Sequence, residues 1–200
     1  QVAGPSEIAV LTDGSVDVRW IAADLLSQAE HGADSQAICI TSSEAFAGQV
    51  YAEVEKQVAA LPRQALAEKS LEHSRIIVVH DFEEVIDITN EYAPEHLIIQ
   101  TKDYMAIAER IHSAGSLFLG HLTPESAGDY ASGTNHTLPT SGYAHAYSGV
   151  NLDSFRKKMT YQEITPKGIR NIGHIVEVMA ENESLFAHKN AMTLRIKSIE

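Results

Sequence analysis

The chain has 200 residues, enough for one or two domains with a buried core, and its 44% hydrophobic and 21% charged content is ordinary for a globular protein. Its formal net charge of −12, with 15 Lys and Arg and one notable basic doublet at Lys157 and Lys158, argues against a nucleic-acid or anionic-membrane surface. No apolar stretch approaches the roughly 20 residues of a membrane span, and the lone Cys39 excludes an intrachain disulfide and favours a reducing, cytoplasmic compartment.

Short apolar runs alternate with helical patterns through the first 120 residues. Asp17 is placed to cap a first helix, whose apolar positions include Trp20 and Leu25, and Ser43 starts a long helix that runs through residue 60. Further helices are predicted over residues 65–72, 82–92 and 104–111. The apolar runs predicted to be strands are residues 8–11, 37–40, 76–79, 97–99 and 117–119.

This alternation predicts βαβ units and an α/β fold with a mainly parallel, incomplete Rossmann-like sheet flanked by helices. After Gly120 a polar, glycine-rich loop is expected to run to about residue 152. Helical pieces over residues 152–159, 167–180 and 185–196 would then form a carboxyl-terminal tail. With a boundary near Gly149, we expect a Rossmann-like portion over residues 1–149 and a helical dimerisation tail over residues 150–200.

Residues 126–140, SAGDYASGTNHTLPT, carry the strongest functional signal, because Asp129 and His136 stand among small residues without a core-building pattern. Gln28 and His31 are three apart near the end of the first predicted helix, so an amide oxygen and an imidazole project from one face. An Asp, one or two His and an amide oxygen form a plausible Zn²⁺ set. Each cluster alone also fits an ordinary hydrogen-bonded loop or helix end.

Two further polar clusters are candidates. Glu95 and His96 follow Pro94 and are expected in the connection ahead of a strand, where they offer two groups able to pass protons near neutral pH, or simply an exposed turn. Glu183 and His188 stand near the carboxyl end, where a solvated tail helix is the ordinary interpretation. Ser6 in the GPSE turn could touch a substrate or stabilise the turn.

Taken together, these motifs closely resemble the histidinol dehydrogenase family from residue 3 to about residue 195, corresponding to roughly the carboxyl-terminal half of a typical member. The motifs that carry the resemblance, in chain order, are AGPSE, LLSQAEHG, APEHL, SAGDYASGTNHTLPT and AHKNAMTLR.

The resemblance implies zinc- and NAD-dependent oxidation of L-histidinol to L-histidine through the aldehyde, the last steps of histidine biosynthesis. Glu95 would activate water and His96 would shuttle protons. The implied zinc ligands, also counted as substrate-binding positions, are Gln28, His31, Asp129 and His188. The further implied histidinol contacts are Ser6, His136 and Glu183.

The resemblance also implies an intertwined homodimer, in which Glu183 and His188 serve the site of a neighbouring subunit. The chain begins with Gln1 rather than Met and runs straight into a predicted strand, so we expect it to be part of a longer protein. The family's amino-terminal half, which supplies most NAD contacts, is absent, and no residue here is assigned to NAD. This chain alone is therefore expected to be inactive.

Two other interpretations are open. The chain could be a stand-alone metal-binding or dimerising module that keeps the site residues without the redox chemistry. An ordinary nicotinamide-binding domain is disfavoured, because no glycine-rich phosphate loop follows the first predicted strand.

Overall fold

The computed structural model describes residues 4–199 and contains a five-stranded, wholly parallel sheet in the order β3-β2-β1-β4-β5. This order corresponds to that of the first five strands of a doubly wound nucleotide-binding sheet, so the predicted incomplete Rossmann-like fold is confirmed. The strands are β1 Glu7–Thr12, β2 Gln36–Thr41, β3 Arg75–Val78, β4 His96–Gln100 and β5 Ser116–Leu119.

Helices connect the strands and cover both faces of the sheet. The first-unit helices are α1 Val18–Ala29, α2 Glu44–Val58, α3 Gln64–Leu71, α4 Phe82–Tyr92, α5 Tyr104–Ala108 and α6 Glu125–Tyr130. Asp17 caps α1 by accepting a hydrogen bond from the Arg19 N–H at 2.9 Å, and Ser43 caps α2 by accepting one from Phe46 at 3.2 Å. Asp17 and Ser43 are the residues at which the sequence predicted these two helices to begin.

The sheet separates two apolar clusters, because alternate residues of each strand point to opposite faces. Ile8 and Val10 of β1 pack with α1, α2 and α3 on one face. Ala9 and Leu11 pack with α4 and α5 on the other. All four side chains are fully buried, which explains why the strands read as continuous apolar runs rather than as alternating ones.

Three local predictions were wrong. Helix α6 occupies the start of the stretch predicted to be a loop, and its six residues are too few to show a helical period. The helical piece predicted over residues 152–159 is only a 3₁₀ turn, Leu152–Phe155. Trp20, predicted on the buried face of α1, is 44% exposed.

The contacts divide the chain after Arg156 into two units, and the predicted boundary near Gly149 lies earlier in the chain. In the second unit α7 Pro166–Asn182 and α8 Phe186–Lys197 form an antiparallel helical hairpin. A hydrogen bond from the Thr193 hydroxyl to Glu177 and an ion pair of 2.7 Å between Lys189 and Glu181 join the two helices. Among residues 4–199, no helix is both long and apolar enough to cross a membrane.

Candidate active site and metal centre

Most candidate residues of the first unit lie together where the strands begin, which we call the amino edge of the sheet. His96 opens β4 and lies in register with Ile8 of β1 and Ser116 of β5. Helix α1 runs back from the end of β1 to the start of β2, so its last turn carries Gln28 to the same edge. We use the name amino-edge site for Gln28, His31, Glu95, His96, Glu125 and Asp129.

The imidazole of His96 is buried, and its surroundings define its tautomer. Nδ1 lies 3.1 Å from the carbonyl oxygen of Glu7 and 3.5 Å from Oε2 of Glu95, and both are acceptors. Nδ1 must therefore carry a proton. Nε2 has no hydrogen-bond partner among the described residues, so it presents a free lone pair to the site.

The position of Glu95 differs from the exposed connection that was one expectation. Glu95 and His96 are only 5% and 4% exposed, and β4 already begins at His96. Oε2 of Glu95 accepts a hydrogen bond from the Glu7 backbone N–H at 2.9 Å. The same oxygen faces Nδ1 of His96, so Glu95 helps to hold the imidazole with Nε2 turned towards the site.

The charges around His96 raise its affinity for a proton, which strengthens Nε2 as a base. Burial by itself would lower the pKa of His96, but the hydrogen bond and the charge of Glu95, together with the charge of Glu125, outweigh it and raise the pKa. Glu7 is also buried, and its pKa is raised mainly by burial and further by the charge of Glu95. His96 therefore sits among acids that stabilise it after it accepts a proton.

Sequence reasoning missed Glu125. Its side chain is 2% exposed, and Oε1 lies 3.8 Å from Nε2 of His96, while Oδ1 of Asp129 lies 4.0 Å from the same nitrogen. Burial raises the pKa of Glu125 to about 7, the charge of His96 opposes this rise, and Asp129 adds to it. Glu125 and Asp129 are four apart on α6, so their spacing would have grouped them on one face had the helix been predicted.

Three side chains of the amino-edge site are placed to hold a metal ion. The ligand atoms of His31, Glu125 and Asp129 all lie within 4.8 Å of one another. Gln28 is fully buried, and neither its amide oxygen nor its amide nitrogen has a hydrogen-bond partner among the described residues. A buried amide without partners is costly, and an ion or ligand would satisfy it. One amide oxygen, one imidazole and carboxylates fit Zn²⁺.

The remaining predicted site residues are Ser6, His136, Glu183 and His188. Ser6 is partly exposed directly before β1, and its carbonyl accepts a hydrogen bond from the Gln36 N–H at 3.1 Å. His136 is exposed in the loop after α6, and within residues 4–199 no hydrogen bond or ion pair joins it to the amino-edge site. Glu183 and His188 are exposed in the second unit, so their place in a shared site stays a prediction.

Fold and site together define an α/β protein with a buried histidine base beside side chains suited to a metal ion. The family model for histidinol dehydrogenase matches residues 1–196. The chain belongs to the histidinol dehydrogenase family, whose members are oxidoreductases of histidine biosynthesis.

Individual relatives agree with this assignment. The chain is 60% identical to a histidinol dehydrogenase of Bacteroides thetaiotaomicron over 99% of its own length and 46% of that protein. It is 53% identical to a putative histidine biosynthesis bifunctional protein of Photorhabdus laumondii, covering 98% of the chain and 24% of that protein. The crystal structure of histidinol dehydrogenase from Elizabethkingia anophelis matches with a TM-score of 0.94 and 54% identity, over 100% of this chain and 46% of that one. The chain thus spans slightly under half the length of that structure.

Proposed function

We propose that the intact protein containing this chain oxidises L-histidinol to L-histidine through the aldehyde, passing a hydride to NAD⁺ in each of two steps. The observation that carries the proposal is the free Nε2 of His96, a buried base beside carboxylates suited to a cation. Family membership supports the choice of substrate. Because the chain covers 46% of such relatives, we assign the activity to the intact protein and expect this chain alone to be inactive.

The residues that would hold Zn²⁺ are Gln28, His31 and Asp129, completed by His188 of a neighbouring subunit. The unpartnered amide of Gln28 and the closeness of His31 and Asp129 support this set. Bound there, Zn²⁺ would supply a Lewis acid that holds the amino and imidazole nitrogens of the substrate. Ser6, His136 and Glu183 are the further proposed contacts to histidinol.

His96 carries the proton transfers. In the first oxidation Nε2 accepts the proton of the alcohol while the hydride leaves the carbinol carbon, which yields the aldehyde. Glu95 then takes a proton from the water that adds to the aldehyde, while Nε2 of His96 returns its proton to the carbonyl oxygen, which forms the hydrate. The proton on Glu95 is released to solvent, and Nε2 is again free to accept a proton. Nε2 accepts the hydroxyl proton of the hydrate as the second hydride leaves, which yields the carboxylic acid. The hydrogen bond from Nδ1 to Glu7 keeps the ring oriented throughout.

No described residue is assigned to NAD. Doubly wound sheets usually bind dinucleotides at the carboxyl ends of the strands, with a glycine-rich turn after β1. Here Asp13-Gly14-Ser15 follows β1 without that motif, and the candidate site lies at the opposite edge. The NAD contacts are therefore proposed to lie in the part of the intact protein outside this chain.

The tail is proposed to join two copies of the chain. Ile172, Ile175, Val178 and Met179 form an exposed apolar stripe on α7, a surface that a partner subunit would cover. Exchange of the tails would bring Glu183 and His188 to the site of the neighbouring subunit.

The variant His96→Asn in the intact protein tests the proposal. We expect kcat to fall by roughly 10²- to 10⁴-fold, because the general base is lost, with zinc content unchanged. Steady-state kinetics with L-histidinol and NAD⁺ measures kcat, and metal analysis measures the zinc content. The exposed His73 supplies the control His73→Asn, which should leave both values unchanged.

Either of two results would contradict the proposal: turnover at the level of the unchanged protein in His96→Asn, or loss of metal from that variant. The alternative function is a non-catalytic metal-binding or dimerising module. It predicts zinc binding and dimers with no oxidation of L-histidinol in the intact protein.

A further inference from the structure

Glu125 is the buried acid of the amino-edge site for which the family motifs name no role. Its Oε2 accepts a weak hydrogen bond from the Ser27 hydroxyl at 3.3 Å. Its Oε1 is buried without any hydrogen-bond partner in the described part of the chain. An unsatisfied carboxylate oxygen in a buried position costs free energy, so a donor from a bound molecule would stabilise it.

The unpartnered oxygen lies near the proposed base and near the candidate metal ligands. Oε1 is 3.8 Å from Nε2 of His96, the nitrogen proposed to receive the hydroxyl proton. The Glu125 carboxyl is also within 4.8 Å of the ligand atoms of His31 and Asp129. A substrate whose hydroxyl meets His96 and whose nitrogens lie towards Asp129 therefore passes directly beside Glu125.

The charges of the site select the kind of group that Glu125 can bind. The ion pairs that the described residues make with Glu95, Glu125 and Asp129 all come from His96, and none comes from Lys or Arg. Several carboxylates without a neighbouring Lys or Arg keep acceptor oxygens available, which favours a group with N–H donors such as an amine over an anionic group. An amine that binds a metal through its lone pair still keeps N–H donors for a carboxylate.

We propose that Glu125 binds the amino group of the amino alcohol substrate through Oε1 and so selects substrates that carry this group. The proposal rests on the function proposed above, since it assumes that an amino alcohol occupies the amino-edge site. It makes Glu125 a residue of substrate recognition rather than a ligand of the metal.

The test measures binding in the zinc-loaded intact protein by isothermal titration calorimetry, without NAD so that no turnover occurs. Two probes are compared: L-histidinol and the imidazole propanol that lacks only the amino group. In Glu125→Gln we expect the Kd of L-histidinol to rise roughly 10- to 100-fold, as for the loss of a hydrogen bond to a charged group. The Kd of the deamino probe for Glu125→Gln should stay within about twofold of its value for the unchanged protein. That result would also show that the variant is folded.

Controls separate this proposal from the function on which it rests. Glu91→Gln, at an exposed position of α4, should change neither Kd. Asp129→Asn should lower zinc content and weaken both probes. If the unchanged protein binds neither zinc nor L-histidinol, the proposed function fails, and this proposal fails with it.

Three results would overturn the proposal for Glu125 while leaving the proposed function intact. They are an unchanged Kd for L-histidinol in Glu125→Gln, an equal weakening of both probes, and loss of zinc from that variant. The last result would identify Glu125 as a metal ligand instead.

Discussion

At the scale of single residues, the site depends on polar side chains that tertiary contacts remove from water. Glu95 and His96 were recognisable from the sequence as a proton-passing pair, but an ordinary exposed turn was the alternative interpretation, and their burial was not predicted. Their burial follows from the register of β4 beside β1, which brings the Glu7 backbone to both side chains. That register is a non-local property, and the tautomer of His96 follows from it.

Asp24 gives a prediction at the same scale. It is 8% exposed and accepts a hydrogen bond from Gln100 at 2.6 Å, and burial raises its pKa from 3.8 to about 7. Because the pKa is higher in the folded protein, this group's contribution to stability is fully present below about pH 4 and is lost as the pH rises through about 7. Asp24→Asn should remove this loss and be more stable than the unchanged chain by roughly 1–3 kcal/mol at about pH 8.

Urea unfolding of both proteins at about pH 5 and pH 8 measures the effect. The exposed Asp34 supplies the control Asp34→Asn, which should keep the pH dependence of the unchanged chain. Identical pH dependence for Asp24→Asn and the unchanged chain would show that Asp24 titrates normally.

At the scale of secondary structure, α6 is the element that completes the site. It carries both Glu125 and Asp129, and its approach to the sheet requires a residue without a side chain at Gly128. A Cβ atom there would lie 2.5 Å from Cε1 of Phe118, on β5. Phe118 in turn stands 6.0 Å from the ring of His96, centroid to centroid. The glycine therefore decides how closely α6 approaches the base.

Gly128→Ala tests this dependence. We expect the free energy of unfolding to fall by about 1–3 kcal/mol, because the added methyl group overpacks against a buried ring. Zinc affinity should also fall, since α6 must move with Asp129. Chemical unfolding and zinc titration measure the two effects.

Gly48 provides a matched control, because a Cβ added at this position of α2 meets no atom within 4 Å. Gly48→Ala should stabilise the chain by up to about 1 kcal/mol, since alanine is the better helix former. Equal stability changes in the two variants would refute the packing argument.

At the scale of the whole molecule, the site lies at the amino edge of a sheet whose family of folds normally binds ligands at the carboxyl edge. The strand order alone would have predicted a site at the carboxyl edge of the sheet. The second unit adds the exposed apolar stripe on α7, and the proposed metal site needs His188 of a second chain to complete it.

The association of two chains is directly testable. Sedimentation velocity of this chain should show a dimer, and Ile175→Glu should shift it to monomer, because a charge would be buried in the apolar stripe. His174→Glu adds the same charge outside the stripe and should leave the dimer intact. A monomer at all concentrations of the unchanged chain would contradict tail-mediated association.

Much of the fold was predictable because it depends on local patterns. The five apolar runs, the caps at Asp17 and Ser43 and the alternation with helices all specify parallel βαβ units. Helix α6 was not predictable, because six residues show no period and its position depends on contact with Phe118. Glu125 was missed for the same reason.

By itself, the sequence determined the fold class, the family and most of the candidate site residues, because these are encoded in periodicity and in motifs at characteristic spacings. Only the tertiary structure decided that the free nitrogen of His96 is Nε2, that Gln28 is buried without partners and that Glu125 joins the site. Those properties arise where β1, β4, α1 and α6 meet, and a hydrogen bond or a buried charge between distant segments leaves no local pattern in the chain.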